Sequence, residues 1–448
     1  MTVTETHFDN GLMVLTRELH NAPVATFWVW YRVGSRNEAL GITGASHWVE
    51  HMMFKGTERL NKGDIFKLIS QNGGVNNAFT WMDYTAYFET LPSDRLDLAV
   101  QIESDRMMNS AFDPDEVNAE RTVIISEREG HENDPEFWLG EELQATAFHV
   151  HPYHHDTIGW KVDLERMTRD QLYNHYRHYY VPNNAIVVAA GDFETSALLD
   201  KLHATFGQLP RGEEVVPLRI EEPPQEGERR VVVRRPGATC YFSAAYHAPR
   251  ATDADFFPCF VLSGVLGGAS SLAAGGRASP GRSSRLYRAL VEKELASGVH
   301  CSYFPMLDPY LFDISATVRP GVDIARVERA IFGEVERIAS QPISDAEYEK
   351  VLKQTRAQYV YAEDGVSNHG YRLGMLEVVA SYRMYDTFLE NLEKVTKEDI
   401  QRVAAKYLAE TNRTVGWFIP TAEDGTQKAE GRKRKAAGSK PKSKSKRS

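Results

Sequence analysis

An internal repeat limits the fold of this chain more than any other feature of its sequence. Residues 167–188 align without a gap to residues 395–416, an offset of 228 residues. In both copies a threonine, Thr168 or Thr396, precedes a helical pattern, and an apolar strand pattern follows after an asparagine. Because threonine is a favoured N-cap, each copy predicts a capped helix, a turn and a strand. The repeat indicates that one domain fold occurs twice.

The two halves also begin alike, since residues 24–31 and 238–246 both have the composition of buried strands. Between the halves, residues 207–228 hold four prolines among acidic residues, which is typical of a linker. A chain of 448 residues is also too long for one ordinary core. We therefore predict an α+β protein with two duplicated α/β domains, residues 1–206 and 229–424.

Charge is distributed unevenly along the chain. The formal net charge is −10, but residues 427–448 contain ten Lys or Arg against one Glu, so the remainder carries −19. An acidic body argues against nucleic acid as the main substrate. The segment 425–448 has no aromatic side chain and no aliphatic one larger than Ala, so we predict a basic disordered tail. It is either an arm for anionic surfaces or a solubilising extension.

The ends and the cysteines of the sequence predict a cytoplasmic protein. The first residues lack the basic and apolar regions of a secretory signal, and no apolar run is long enough to cross a bilayer. The three cysteines, Cys240, Cys259 and Cys301, are too few for a disulfide framework and fit a reducing compartment. A metal site in this chain must therefore use imidazole and carboxylate groups.

One such site is indicated by His47, Glu50 and His51, which share a stripe of a predicted helix over residues 44–54. The other positions of this helix are mostly apolar, so its polar stripe is costly to bury unless something satisfies it. A divalent cation does so, because histidines one turn apart reach the same ion. Glu50 can then take a proton from the metal's water. The alternative is a pair of core histidines held by hydrogen bonds.

A second predicted helix supplies the missing ligand. Asp113 is its N-cap, Pro114 its first residue, and Glu116 closes a capping box. Further along, Glu120 and Glu127 lie seven residues apart on an otherwise apolar face. Glu127 would complete a three-ligand site with an open fourth position, which is the geometry of catalytic zinc. Glu120 would orient a histidine ligand, or else pair with an arginine.

The order His-x-x-Glu-His, then a Glu 76 residues later with another seven before it, resembles the pitrilysin/insulinase family of inverted-motif zinc peptidases. Further landmarks of that family resemble residues 8–12, 33–38, 51–57, 180–184 and 191–192. The resemblance implies one zinc ion per chain, with ligands His47, His51 and Glu127 and with Glu50 as general base. It also implies α/β roll domains of mixed, largely antiparallel sheets flanked by helices, forming half of a clam-like chamber.

The resemblance also assigns a substrate strand. Residues 73–91 read as a turn followed by one strand, and the stretch Asn77, Ala78, Phe79 and Thr80 looks like the family's edge strand to which the peptide adds itself. An Asn side chain there would hold a carbonyl oxygen of the peptide. The alternative is an ordinary hairpin.

The second half departs from the pattern of single-chain members. Those members carry an Arg and, seven residues later, a Tyr that reach the bound peptide, whereas this chain has Val291 and Gly298 at these positions. It therefore resembles the zinc subunit of bacterial two-subunit members and the beta subunit of the mitochondrial processing peptidase. A homologous metal-free partner is expected to supply the missing pair, unless a repositioned residue such as Tyr303 replaces it.

Two further segments have an unusual composition. Residues 264–282 are rich in glycine but lack the ending of a phosphate loop, and are either a mobile loop over the substrate entrance or a disordered insertion. His149, His151, His154 and His155 suggest a second metal site, but their loop-like setting favours structural or surface roles. The sequence thus predicts a zinc endopeptidase that acts on unfolded peptides or short extended segments and is the catalytic subunit of a heterodimer. The rival hypothesis is a chaperone-like subunit that binds peptides without cutting them.

Overall fold

Two mixed β-sheets, one in each half of the chain, form the framework of the structure, a computed structural model that describes residues 3–269, 272 and 281–422. The first sheet consists of β1 (Thr4–His7), β2 (Met13–Glu18), β3 (Val24–Tyr31), β4 (Val75–Thr80), β5 (Thr85–Pro92) and β6 (Ala185–Gly191). The second consists of β7 (Arg229–Pro236), β8 (Tyr241–Ala248), β9 (Ala296–Ser302), β10 (Tyr310–Val318) and β11 (Arg413–Thr421).

The two sheets have the same topology. Their strand orders are β1-β2-β6-β3-β5-β4 and β7-β11-β8-β10-β9, which coincide once β1 is set aside. Each sheet has one parallel pair, β2 with β6 and β7 with β11, and the other pairs are antiparallel. The α+β fold class and its duplication are confirmed. β4 and β9 are equivalent edge strands.

Helices flank both sheets. Those of the first half are α1 (Ala45–Met52), α2 (Asp64–Gln71), α3 (Leu96–Asn109), α4 (Pro114–His131), α5 (Pro135–Ala147), α6 (Lys161–Arg166), α7 (Arg169–Tyr179) and α8 (Thr195–Ala204). Those of the second half are α9 (Phe256–Gly267), α10 (Ile324–Ser340), α11 (Asp345–Tyr361), α12 (Val366–Val379), α13 (Met384–Glu393) and α14 (Lys397–Tyr407). The repeated helices are α7 and α14, and Thr168 and Thr396 cap them as predicted, each in a capping box.

The halves exchange one helix each. α5 packs on strands β7, β8 and β11 of the second sheet, and α12 packs on β3 and β6 of the first. Two glycines allow the close approach of α12: a Cβ at Gly370 would lie 2.3 Å from the Trp28 ring, and one at Gly374 would lie 2.1 Å from Nε1 of Trp30. Each sheet lies within one predicted domain, but one of the helices packed on it comes from the other domain.

The predicted segments that remain are the linker, the basic tail and the glycine-rich stretch. The predicted linker is residues 207–228; its first two residues end a 3-10 turn, Phe206–Gln208, and residues 209–228 contain no helix or strand. The basic tail, and most of the glycine-rich segment 264–282, lie outside the described residues. Of the helices in the described ranges, none is both long and apolar enough to cross a membrane. Cys240, Cys259 and Cys301 are free thiols, and the cytoplasmic location stays a prediction.

Candidate metal centre

A buried carboxylate fixes the start of α1, the helix that carries the predicted motif. Its N-cap is Gly44, which has φ +88° and no side chain to cap the helix. Glu38 replaces the missing cap, since its carboxylate accepts hydrogen bonds from the backbone N–H of Gly44 and of Ser46, both at 2.7 Å. Burial raises the pKa of Glu38 to about 8, although these two bonds oppose the rise. An acceptor at this end satisfies N–H groups that would otherwise be unpaired.

Helix α1 is shorter than predicted. It ends at Met52 rather than continuing through Phe54, because the chain turns towards Gly56, which has φ +114°. Phe54 leaves the helix and stacks on Phe66, with ring centroids 4.9 Å apart. The helix still contains His47, Glu50 and His51, so its earlier end does not affect the predicted polar stripe.

Helix α4 packs against α1 and presents the two predicted carboxylates to it. Its start is largely as predicted: Pro114 is the first residue, and the Asp113 carboxylate accepts from the N–H groups of Asp115 and Glu116 at 2.8 and 3.3 Å. The predicted capping box is wrong, because Glu116 forms an ion pair with Lys62 at 2.7 Å instead of reaching back to the N-cap.

His47, His51 and Glu127 converge on one point. Their ligand atoms all lie within 4.8 Å of one another, and they are the one such group of potential metal ligands in the described part of the chain. Oε2 of Glu127 lies 3.8 Å from Nε2 of His47 and 3.7 Å from Nε2 of His51. Tetrahedral zinc with bonds of about 2.0–2.1 Å holds its ligand atoms about 3.3 Å apart, so only a small closure is required. The three side chains therefore fit a zinc ion.

Glu120 orients one of the two histidines. Its Oε1 lies 2.8 Å from Nδ1 of His51, and its Oε2 pairs with Lys55 rather than with an arginine. A proton on Nδ1 leaves Nε2 of His51 as an acceptor facing Glu127, which is the tautomer that a metal ligand needs. Burial would raise the pKa of Glu120, but the hydrogen bonds from His51 and Lys55 lower it overall. Glu120 therefore stays ionised at neutral pH.

His47 has a different environment. Burial, followed by the charge of nearby His51, lowers the pKa of His47 to about 3, so its imidazole is neutral at physiological pH. Its Nδ1 is buried and has no hydrogen-bond partner among the described residues. A neutral imidazole is the form that binds a metal. The two histidines thus differ in how the protein holds them.

Glu50 lies beside this group and is held by β4, the predicted substrate strand. Its carboxylate is buried, with the residue 8% exposed, and Oε2 accepts a hydrogen bond of 2.7 Å from the Thr80 hydroxyl. Burial raises the pKa of Glu50, whereas the bond from Thr80 opposes the rise. A carboxylate with a raised pKa next to a metal site suits proton transfer.

The strand that ends in Thr80 is an edge strand. The prediction of a single strand through residue 91 is wrong, because the chain turns after β4 and Trp81 N–H donates to the Tyr84 carbonyl at 2.8 Å. β4 and β5 form a hairpin, and β4 has no neighbour on its other side in the described sheet. Along β4, Asn77 is exposed and Ala78 is buried. Such an edge presents unpaired backbone groups that can accept an added strand.

Phe79 anchors β4 to the second half. Its ring lies about 6 Å from those of Trp28, Trp30 and Tyr371 (6.1, 5.8 and 6.0 Å), and Tyr371 belongs to the exchanged helix α12. The second half therefore supports the strand on which the predicted substrate site depends.

The positions expected to hold an Arg/Tyr pair have no side chain of that kind. Val291 ends a π-helical turn, Tyr287–Val291, and packs against buried apolar residues, and Gly298 lies in β9. Tyr303 cannot replace them, because it is 1% exposed and its hydroxyl donates to the Pro249 carbonyl at 2.5 Å. Within the described residues the second half therefore offers no substitute at these positions.

The histidine-rich segment does not form a second metal site. Nε2 of His151 lies 3.1 Å from Asp308, and Nδ1 of His154 lies 3.0 Å from the His151 carbonyl. Nδ1 of His149 contacts Arg229, and Nδ1 of His155 contacts the Asp156 carbonyl. Each ring thus has its own partner, in agreement with the structural role that we favoured.

Sequence reasoning missed three contributors to the site: Glu38, Lys55 and the contact of Thr80 with Glu50. Glu38 and Lys55 do lie within the landmark segments 33–38 and 51–57. Nothing in the local sequence indicates that Thr80 contacts Glu50, because 30 residues separate them.

Two family models match most of the chain. Residues 13–160 match the family model described as Insulinase (Peptidase family M16), and residues 166–355 match the one described as Peptidase M16 inactive domain. The zinc protease PqqE of Helicobacter pylori is 29% identical over 417 residues, which cover 92% of this chain and 91% of that protein.

Solved structures have the same fold. The crystal structure of a protease from Helicobacter pylori aligns with a TM-score of 0.88 and 28% identity, and the alignment covers 94% of this chain and 99% of that one. The periplasmic protease PqqL from Escherichia coli aligns with a TM-score of 0.74 and 18% identity, over 99% of this chain but only 51% of that one. The chain thus aligns with nearly the whole of the Helicobacter pylori protease and with about half of the longer Escherichia coli one.

Proposed function

Since the chain belongs to the insulinase family of peptidases (family M16), we propose that it is a zinc-dependent endopeptidase that hydrolyses unfolded peptides or short extended segments. The observation that carries the proposal is the convergence of His47, His51 and Glu127 beside the buried carboxylate of Glu50. The relative named as a zinc protease supports zinc as the metal.

Each residue of the site has a separate role in the proposed hydrolysis. Zinc held by the three ligands would supply Lewis acidity, which lowers the pKa of water and polarises the scissile carbonyl. Glu50 takes the proton of the attacking water and afterwards delivers it to the leaving amine. Thr80 holds the Glu50 carboxylate in place through its 2.7 Å hydrogen bond. Glu120 keeps His51 in the tautomer that binds.

The substrate adds to β4 as a further strand. Backbone hydrogen bonds along Asn77, Ala78, Phe79 and Thr80 hold any extended peptide without demanding a particular sequence. The exposed side chain of Asn77 is placed to hold a carbonyl oxygen of the peptide. A segment inside a folded domain cannot present its backbone in this way, so the proposed substrates are unfolded.

A homologous subunit without a metal site completes the enzyme. Val291 and Gly298 stand where an Arg and a Tyr would reach the peptide. The fold of this chain accounts for half of the longer Escherichia coli protease, which supports a second half on a separate chain. In this proposal the partner closes the chamber and supplies the missing pair.

A peptide-binding subunit without cleavage is the second candidate. It is favoured by the match of residues 166–355 to a model described as an inactive domain, together with Val291 and Gly298. It predicts that the chain binds extended peptides, with or without a partner, and releases them uncut.

The deciding experiment compares the purified chain alone with the chain co-expressed with a metal-free homologue. Zinc content is measured by atomic absorption, and cleavage with a fluorogenic peptide library. We expect one zinc per chain in both samples and cleavage in the pair. Glu50→Gln should retain zinc and abolish cleavage, while the control Glu129→Gln, on the outer surface of α4 and paired with Lys161, should behave as wild type. Cleavage that survives Glu50→Gln would contradict the mechanism.

A further inference from the structure

A cavity in the second half of the chain is lined largely by cations. Its volume is about 370 Å³, and it lies between the π-helical turn Tyr287–Val291 and the C-terminal end of α10. Its charged lining consists of Arg285, Arg288, Lys293, Arg337 and Glu334. Four positive side chains therefore face one negative side chain across this space.

Neighbouring carboxylates neutralise only part of this charge. Glu347, on α11, accepts hydrogen bonds from Nε and Nη2 of Arg285 at 2.9 and 3.0 Å, and Nη2 of Arg288 lies 3.5 Å away. Glu334 accepts from Arg337 at 2.6 Å. Lys293 forms no ion pair with any residue that the structure describes. Two carboxylates against four cations leave an excess of two positive charges.

The backbone explains why the cations gather here. In the π-helical turn, N–H groups bond to carbonyls five residues earlier, as Glu292 does to Tyr287 at 3.2 Å and Leu295 to Leu290 at 2.8 Å. This wider turn brings Arg288 and Lys293, five residues apart, to the wall of one cavity.

The positive field extends beyond the lining residues. Lys350, on α11, donates to the Ser283 carbonyl at 2.8 Å beside the same arginines. Burial and then the charge of Arg288 lower the pKa of Lys350. Lys350 therefore raises the excess near the cavity from two positive charges to three.

We infer that this cavity binds a small anion with at least two clustered negative groups, of the kind that a polyphosphate chain presents. Guanidinium groups pair well with phosphate and carboxylate oxygens, and the exposed Lys293 supplies an unpaired point charge. An excess of two charges matches a multivalent ligand better than a monovalent one. The volume falls in the range of small-molecule sites and exceeds the needs of one phosphate.

The site is separate from the metal centre. Its walls come from α10, the turn Tyr287–Val291 and the segment that follows, all in the second half, whereas the metal ligands lie on α1 and α4. A bound anion would tie the π-helical turn to α10 by bridging Arg288 and Arg337. The inference does not depend on peptidase activity.

The test is calorimetric titration of the full-length chain with inorganic tripolyphosphate at low ionic strength. Arg288→Ala with Lys293→Ala removes two exposed cations of the cavity. The matched control, Arg326→Ala with Arg329→Ala, removes two exposed cations of α10 that do not line it. We expect the first variant to bind about tenfold or more weakly than wild type. The control should bind as wild type, and circular dichroism should show both variants folded.

The basic tail is present in every sample, so its contribution cancels in the comparison. Equal affinity of the cavity variant and wild type would overturn the inference, because the tail would then carry all the binding. Arg337→Ala, on a different element, provides an independent variant and should also weaken binding.

Four further compounds define the class of anion. If ATP binds with the same affinity as tripolyphosphate and adenosine does not bind, the phosphate chain is the part of the ligand that the cavity recognises. Citrate that binds equally well would extend the class to polycarboxylates. Acetate that binds as tightly as tripolyphosphate would contradict the requirement for clustered charge.

Discussion

The hydroxyl of Thr80, the last residue of edge strand β4, donates a 2.7 Å hydrogen bond to Oε2 of Glu50. The same hydroxyl lies 3.4 Å from that of Thr85, which itself donates to the Val33 carbonyl at 2.9 Å. The proposed general base is thus fixed directly to the strand on which the substrate is proposed to lie. A peptide added to β4 would meet the base in a set orientation.

Replacing Thr80 by valine should lower kcat while leaving KM nearly unchanged. A hydrogen bond to a charged group contributes about 1.5–3 kcal/mol, and each 1.36 kcal/mol is about tenfold in rate, so a loss of about 10- to 100-fold is expected. The measurement is steady-state cleavage of a fluorogenic peptide by the assembled enzyme.

Thr80→Ser is the matched control, because it keeps the hydroxyl and should restore most of the rate. Zinc content should be the same in both variants. A valine variant as active as the serine variant would show that the bond does not position Glu50.

Glu120→Gln should weaken zinc binding by about 10- to 100-fold, the usual cost of losing a carboxylate that orients a histidine ligand. The amide removes the charge that holds the proton on Nδ1 of His51 and pairs with Lys55. Zinc affinity is measured by competition with a chelator. Glu116→Gln, one turn earlier on α4 and paired with Lys62 at the surface, should retain wild-type affinity.

Gly374→Ala should destabilise the protein by about 1–3 kcal/mol through overpacking. The new Cβ would lie 2.1 Å from Nε1 of the buried Trp30, so α12 must move away from the first sheet. Urea unfolding measures the loss. Gly333→Ala on α10 is the control: its Cβ would meet only the end of Arg337 at 3.9 Å, so the substitution should be neutral or stabilising. Equal midpoints for the two variants would argue against close packing of α12.

Asp255 should make stability depend on acid pH. Burial alone would raise the pKa of Asp255, but hydrogen bonds from Lys406, Arg402 and Tyr407 bring it down to about 2, below the ordinary value of 3.8. The contribution of Asp255 to the free energy of unfolding is therefore fully present above pH 3.8 and is lost as the pH falls through 2. After allowance for the exposed cations, it amounts to about 1 kcal/mol.

The test compares wild type with Asp255→Asn in urea at neutral pH and at successively lower pH. The difference between the two midpoints should be largest at neutral pH and should shrink as Asp255 becomes protonated. A difference that is independent of pH would contradict the depressed pKa.

Local sequence signals predicted the elements that depend on neighbouring residues. The caps Thr168, Thr396 and Asp113 were correct because each needs only the backbone N–H groups two or three residues away. The prediction that His47, Glu50 and His51 share one helix face held for the same reason, since helix periodicity is fixed by local geometry.

The errors arose where distant residues decide the backbone. The turn between β4 and β5 lacks glycine and proline, so only Asp83 marks it in the sequence and the hairpin remained an alternative. It is stabilised from elsewhere: the buried carboxylate of Asp83 accepts hydrogen bonds from the Tyr153 hydroxyl at 2.5 Å and from Leu307 N–H at 2.9 Å. Glu116 likewise left its predicted capping box because Lys62, on another element, offered an ion pair.

The sequence by itself therefore determined the duplication, the α+β class and the candidate residues of the metal centre, because repeats, caps and helix periodicity are properties of short stretches of chain. Only the tertiary structure decided that α5 and α12 exchange sheets, that Thr80 holds Glu50 and that Glu120 is shared between His51 and Lys55. These relationships join residues far apart in the chain. They depend on which surfaces pack together when the two halves fold, and no single segment of the sequence determines that packing.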